Sequence, residues 1–149
     1  LASGCMSVLP GSHREEMLPQ RDEYGDNNLL TRGQEISVDV DPSKTVSMPL
    51  QPGEASLQNG RLAHASAPNK TDDRRIGLSF HYMPTTTRQI VGDWDSAAMV
   101  RGEDTHGHFT HTPRPAMDFD PAVLPFHEKA TNAVRDVLFH DADKVRETL

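Results

Sequence analysis

Residues 58–82, QNGRLAHASAPNKTDDRRIGLSFHY, constrain the fold more tightly than any other stretch of the chain. Side chains alternate between the two faces of an extended strand. If residues 62–67 are extended, His64 and Ser66 share one face, and Ala63, Ala65 and Ala67 share the other. Over residues 75–82, Ile76, Leu78, Phe80 and Tyr82 form an apolar face, and Arg75, Gly77, Ser79 and His81 form the opposite one. The polar run 68–73 lies between the two segments, so the pattern predicts a β-hairpin. A sheet with one apolar face and one face lined by Arg, Ser and His suits a barrel whose outside packs on helices and whose inside holds a polar ligand. It also suits an ordinary amphipathic hairpin with its polar side in water, because period-two alternation is common.

Composition bounds the remaining choices. The 149 residues allow one domain. Apolar content of 35% with 11 Pro and 10 Gly favours a loop-rich β architecture over a helical bundle. Fifteen basic against 22 acidic residues leave a net charge of −7 with no basic run, which argues against nucleic acid as a partner. The single cysteine, Cys5, cannot form an internal disulfide and fits a reducing, cytoplasmic compartment. No apolar run reaches the ~18 residues of a membrane span, and no signal peptide is visible. Residue 1 is Leu, and residues 2–9 read as a strand already under way, so the chain is expected to lack the front of its fold.

Further strands are expected over residues 34–40, 46–50 and 54–59, separated by turns at Asp41-Pro42-Ser43 and Pro52-Gly53, with an edge strand over 85–91. Short strands at such regular spacing point to a jelly-roll. The polar stretch 14–33, with its turn cluster Gly25-Asp26-Asn27-Asn28, reads as a loop, either solvated or overhanging a site. Trp94 either caps a site or anchors a loop. His106, His108 and His111 lack helical spacing and a further ligand that would close a tetrahedral zinc site, so they read as a surface loop. Residues 118–149 are predicted helical. Asp120 suits an N-cap and Pro121 a first turn, and Val123, Phe126, Ala130, Ala133, Val134, Val137 and Leu138 recur at helical spacing. That stripe is expected to cover Ile76, Leu78 and Phe80 on the outer face of the sheet, with a short charged helix following to Leu149.

Three motifs together carry a resemblance. Residues 3–13 end in Pro-Gly-Ser-His. The runs L-A-H-A-S-A-P-N and R-R-I-G-L-S-F-H-Y-M-P follow, and then Val100-Arg101-Gly102-Glu103-Asp104 with Gly107-His108-Phe109. In this order and spacing they resemble the distal part of the phytanoyl-CoA dioxygenase family, non-haem Fe(II) enzymes that use 2-oxoglutarate. The resemblance implies a double-stranded β-helix (jelly-roll) with the C-terminal helix on its outer face. Residues 1–115 would supply strands and loops, and 118–149 the helical tail, of the distal part of one oxygenase domain.

The resemblance also implies site residues. His64 becomes an iron ligand through one ring nitrogen. Arg75 would bind the far carboxylate of 2-oxoglutarate, a task for a cation that stays charged when desolvated and grips two oxygens. Ser66 would help bind the same co-substrate. The implied reaction hydroxylates an unactivated C–H bond of a small organic substrate, consuming O2 and yielding succinate. The other ligands, a His-x-Asp pair, would lie upstream of Leu1. His13 and Glu15 imitate such a pair, but His13 opens a polar loop, and the resemblance gives the histidine of Pro-Gly-Ser-His no metal role. We therefore do not assign them, and the 149 residues alone are expected to show little or no turnover. Two alternatives share these features: an Fe(II)/2-oxoglutarate halogenase of the same superfamily, and a non-catalytic jelly-roll binding module.

Overall fold

The computed structural model describes residues 1–24 and 32–143, which form two compact units. The predicted turn at residues 25–28 and the short charged helix over the last residues fall outside, or mostly outside, the described residues. The first unit comprises Leu1–Glu23 and Gln34–Ser79. It contains β1 (Met6–Val8), a 3-10 turn at Ser12–Arg14, β2 (Gln20–Asp22), β3 (Gln34–Ile36), a second 3-10 turn at Pro42–Lys44, β4 (Val46–Ser47) and β5 (His64–Ser66). β1 is the middle strand of an antiparallel sheet ordered β4-β1-β5, and β2 and β3 pair as a separate antiparallel ribbon. The register sets Val8 opposite both Val46 and His64, Met6 opposite Ser66, and Ser7 opposite Ser47 and Ala65.

Burial in this unit concentrates where β1 ends. Val8, Ala63 and Ser12 are 7%, 6% and 7% exposed. Gly11, at φ 88°, admits the left-handed step into the turn at Ser12. The turn then grips the chain just before β5. The Leu9 N–H donates to the Ala63 carbonyl at 2.9 Å, and the Ala63 N–H donates to Ser12 Oγ at 2.8 Å. At the other end of β1, Gly4 has φ 72°, and a Cβ there would lie 2.1 Å from the Ala67 carbonyl oxygen. Only glycine satisfies both demands.

The second unit comprises Tyr24–Gly33 and Phe80–Leu149. It holds a short parallel pair, β6 (Ser96–Ala97) with β7 (Thr110–His111), and α1 (Leu124–Leu138). The apolar stripe of α1 packs within the unit. Phe126 meets Trp94 edge-on at 5.7 Å, Lys129 Nζ sits 4.0 Å over the Trp94 ring, and one methyl group of Val137 lies where a Cβ on Gly92 would crowd it. Trp94 therefore anchors its loop on the helix. Arg32 Nη1 donates to the Leu138 carbonyl at 2.9 Å and pairs with Asp141 at 2.6 Å, satisfying a C-terminal carbonyl and complementing the helix dipole. No helix among the described residues is long and apolar enough to cross a membrane.

Several expectations are corrected. Among the described residues a mainly β chain with one C-terminal helix is present as three small sheets, and no closed jelly-roll is shown. The hairpin of residues 62–82 does not form: β5 pairs with β1, and residues 74–82 make no strand. Asn69 accepts from the Thr71 N–H and hydroxyl and donates to the Asp73 carbonyl, while the Lys70 N–H goes to Ala2, so the polar run closes on itself and on the N-terminus. Ile76, Leu78, Phe80 and Tyr82 are left 70–83% exposed, so the apolar face expected there is not a buried one. Residues 51–62 are turns and irregular backbone, not a strand: the Glu54 N–H returns to Gln51 and the Leu62 N–H to Asn59. No strand forms over 85–91. Helix α1 begins at Leu124, with Pro125 in its first turn. Asp120 instead closes the preceding turn, accepting from the Ala116 and Ala122 N–H groups.

Gly4→Ala should destabilise the chain by about 2 kcal/mol or more, since it adds a steric conflict with backbone to a strained φ. Gly53→Ala, at φ 88° with open space around the added carbon, should cost about 1 kcal/mol. Urea unfolding of the two variants side by side checks the ranking, and equal losses would mean the Gly4–Ala67 approach is not tight.

Candidate functional site

The predicted residues are assembled from β5 outward. His64 and Ser66 lie two apart on this strand and share its face, as alternation requires. Residues directly opposite in an antiparallel pair point the same way. The face that carries His64 and Ser66 therefore also carries Val8, Val46 and Met6. It is a mixed apolar surface and not the wholly polar wall expected. The other face is the more polar one at β1, where the Ser7 and Ser47 hydroxyls approach to 3.3 Å beside Ala65.

His64 is exposed, but its ring is not free to turn. Nδ1 lies 2.8 Å from the Leu62 carbonyl oxygen. A carbonyl only accepts, so Nδ1 carries the hydrogen, and in the neutral ring the lone pair is on Nε2. That is the arrangement a metal-ligating histidine uses, with one nitrogen held by a backbone carbonyl and the other available. The Ser66 hydroxyl, exposed on the same face, makes no hydrogen bond among the described residues. Arg75 lies on the unpaired segment 74–82. It is exposed and without a hydrogen bond or ion pair among the described residues. Because that segment is not a strand, the neighbouring-rung relation expected between His64 and Arg75 is not formed.

The donor set decides how far a metal fits. His64 supplies one imidazole in the correct tautomer. Among the described residues no three His, Cys, Asp or Glu side chains are grouped so as to hold a metal ion. One imidazole fills one coordination position and does not retain Fe(II) by itself. His13 is half-buried, with Nδ1 enclosed and unpartnered, whereas Glu15 is exposed. The described residues thus fit a single ligand position and do not complete the site.

Sequence reasoning missed Ser12. It was visible as part of Pro-Gly-Ser-His, but only the fold shows its hydroxyl buried against the backbone that leads into His64. In the second unit, a surface hollow of about 560 Å³ is lined by Trp94, Glu128, Lys129, Asn132 and Asp136 among others, and by none of the predicted site residues. The histidine-rich loop is ordered by Asp104. One carboxylate oxygen accepts from the His106 and Gly107 N–H groups at 2.9 and 3.0 Å, and the other lies 3.2 Å from His111 Nε2. The His106 and His108 rings stack at 5.5 Å. The N–H groups of Gly107 and His106, and then His111, hold the Asp104 carboxyl below its ordinary value of 3.8.

Comparison with known proteins now bears on these residues. The family model described as Phytanoyl-CoA dioxygenase (PhyH) matches residues 1–77, a span that includes Ser12, His64, Ser66 and Arg75 but ends before the loop at residues 100–109. The chain is 30% identical over 82 residues to "Dioxygenase lolE1" of Epichloe uncinata, covering 54% of this chain and 28% of that protein. It is 33% identical over 86 residues to "Probable phytanoyl-CoA dioxygenase" of Caenorhabditis elegans, covering 54% of this chain and 26% of that protein. The matched part of the chain spans about a quarter of the length of these curated relatives. No solved structure matches it.

A carboxyl whose folded-state pKa is depressed contributes stability that is present above its unfolded pKa and lost as pH falls through the folded one. Thermal melts from about pH 5 downward should therefore show the wild type losing stability below about pH 4. Asp104→Asn removes one such carboxyl, so it should lose less over that window. A parallel decline in both proteins would remove Asp104 as a source of the acid sensitivity.

Proposed function

Since the chain belongs to the phytanoyl-CoA dioxygenase family, we propose that the whole protein is a non-haem Fe(II)- and 2-oxoglutarate-dependent dioxygenase that hydroxylates an unactivated C–H bond of a small organic substrate. The observation that carries this reading is His64: an exposed imidazole inside the family-matched span whose Nδ1 is committed to the Leu62 carbonyl and whose Nε2 makes no hydrogen bond among the described residues. The family consists of Fe(II)/2-oxoglutarate dioxygenases, and one relative is named a dioxygenase without further qualification.

Each residue has a role set by its chemistry. His64 holds one ligand position through Nε2 and excludes the wrong tautomer through Nδ1. Arg75 carries the permanent charge and the forked donors that bind the distal carboxylate of 2-oxoglutarate. Its lack of any partner among the described residues leaves it available. Ser66, on the face of His64, donates its hydroxyl to the same co-substrate. When bound, the iron and the keto acid supply the oxidising chemistry, and the protein supplies orientation and a dry setting. The described residues supply one ligand position, and we assign turnover to the whole protein. The co-substrates are O2 and 2-oxoglutarate, with neither nucleic acid nor membrane as partner. The lone free cysteine, Cys5, favours a cytoplasmic setting.

The full-length protein, supplied anaerobically with Fe(II) and 2-oxoglutarate and then exposed to O2, should form succinate. His64→Ala should abolish it. Arg75→Ala should weaken 2-oxoglutarate binding by about 100-fold, the scale of removing one partner from a desolvated charge pair. Arg75→Lys should recover only part of the loss. Wild-type protein that forms no iron-dependent succinate is instead a non-catalytic binding module, and unchanged co-substrate affinity in Arg75→Ala would move the clamp elsewhere.

A further inference from the structure

We propose that Ser12 is a positioning residue for His64, acting through the single peptide group that joins Leu62 to Ala63. The proposal rests on the reading of His64 as a metal ligand and adds a residue for which no role has been assigned. A peptide group is planar and rigid, with its N–H and C=O at opposite ends. The N–H end of this one, on Ala63, donates to Ser12 Oγ at 2.8 Å in a buried setting. The C=O end, on Leu62, accepts from His64 Nδ1 at 2.8 Å. Ser12 and the imidazole therefore hold the two ends of one plate, and the plate cannot tilt without loosening both bonds.

The surroundings fix the plate further. Ser12 is 7% exposed, and its own N–H donates to the Leu9 carbonyl at 3.2 Å, so the hydroxyl is placed by a closed turn and not by a mobile side chain. Leu9 in turn donates to the Ala63 carbonyl at 2.9 Å. Ala63, 6% exposed, is thus gripped at both its N–H and its C=O by residues of one turn. A chain of hydrogen bonds polarises along its length. The Ser12 hydroxyl pulling on the N–H makes the Leu62 carbonyl a better acceptor and strengthens the hold on the Nδ1–H tautomer. Without the hydroxyl oxygen, the Ala63 N–H is buried with no acceptor, the plate is free to rock toward water, and Nε2 loses its fixed direction.

The test uses the full-length protein and Co(II), whose visible absorption reports ligand number and geometry without turnover. Ser12→Ala should remain folded, bind Co(II) about 10–100-fold more weakly and show a shifted absorption band, the scale seen when an outer partner of a metal-bound histidine is lost. Ser12→Thr keeps the hydroxyl and should restore both affinity and band. If Ser12→Ala does not fold, Ser12→Cys, with similar volume and a weak acceptor, is read in the same way. A folded variant with a lower melting temperature but unchanged Co(II) affinity and spectrum would make Ser12 a stabilising residue only and overturn the proposal. His64→Ala separates the two claims. If it loses Co(II) while Ser12→Ala keeps it, only the role of Ser12 fails. If His64→Ala binds Co(II) as the wild type does, the ligand role of His64 fails first.

Discussion

The two hydrogen bonds made by Ala63, from its N–H to Ser12 Oγ and to its carbonyl from Leu9 N–H, hold the first unit in register. Each such bond adds only about 1 kcal/mol net, but leaving a buried N–H unsatisfied costs roughly 1–3 kcal/mol. That asymmetry matters here because buried apolar side chains are few. Among the described residues only Val8, Ala63 and Phe139 are buried hydrophobic positions. Where apolar burial is so limited, directional bonds and close backbone contacts decide where a strand lies. The Gly4 contact with the Ala67 carbonyl and the double grip on Ala63 bracket β5 at its two ends, with β1 paired along its length.

This bracketing is what gives His64 a defined orientation on an exposed surface. An unrestrained surface imidazole samples two tautomers and several rotamers. Here one nitrogen is committed to the main chain, and the other makes no hydrogen bond among the described residues. The residues matched by the family model coincide closely with the first unit's strands and the turn that supports them. The matched span ends just after Ile76, the first residue of an exposed alternating run that continues through Leu78, Phe80 and Tyr82 without forming a strand.

The second unit is held by other means. An aromatic edge contact, a lysine over the indole ring and a helix packed close to Gly92 organise it, and carboxylates close its turns. Asp104 and Asp120 each accept two backbone N–H groups, and each is held in its charged form by those donors. Short aspartate-closed turns of this kind allow a chain rich in proline and glycine to take a defined course without long strands.

Local features were legible from residues alone wherever the physics is local. The parity of His64 and Ser66, the turn at Asp41-Pro42-Ser43, the helical stripe around Phe126 and the family-bearing motifs all depend on spacing a few residues long. Strand pairing does not. Alternation from Ile76 to Tyr82 states which side chains would share a face, but a strand exists only when a second backbone supplies its hydrogen bonds, and among the described residues none does. For the same reason the partner of the His64 arm could not be read in advance. Hydropathy favoured its sequence neighbour, whereas the buried Ser12 hydroxyl and the glycine at position 4 selected β1. By itself, then, the order of residues determined the local conformations and the chemistry each side chain can offer. Tertiary structure alone decided which backbone meets which, because that choice turns on burial and close approach between residues some fifty positions apart.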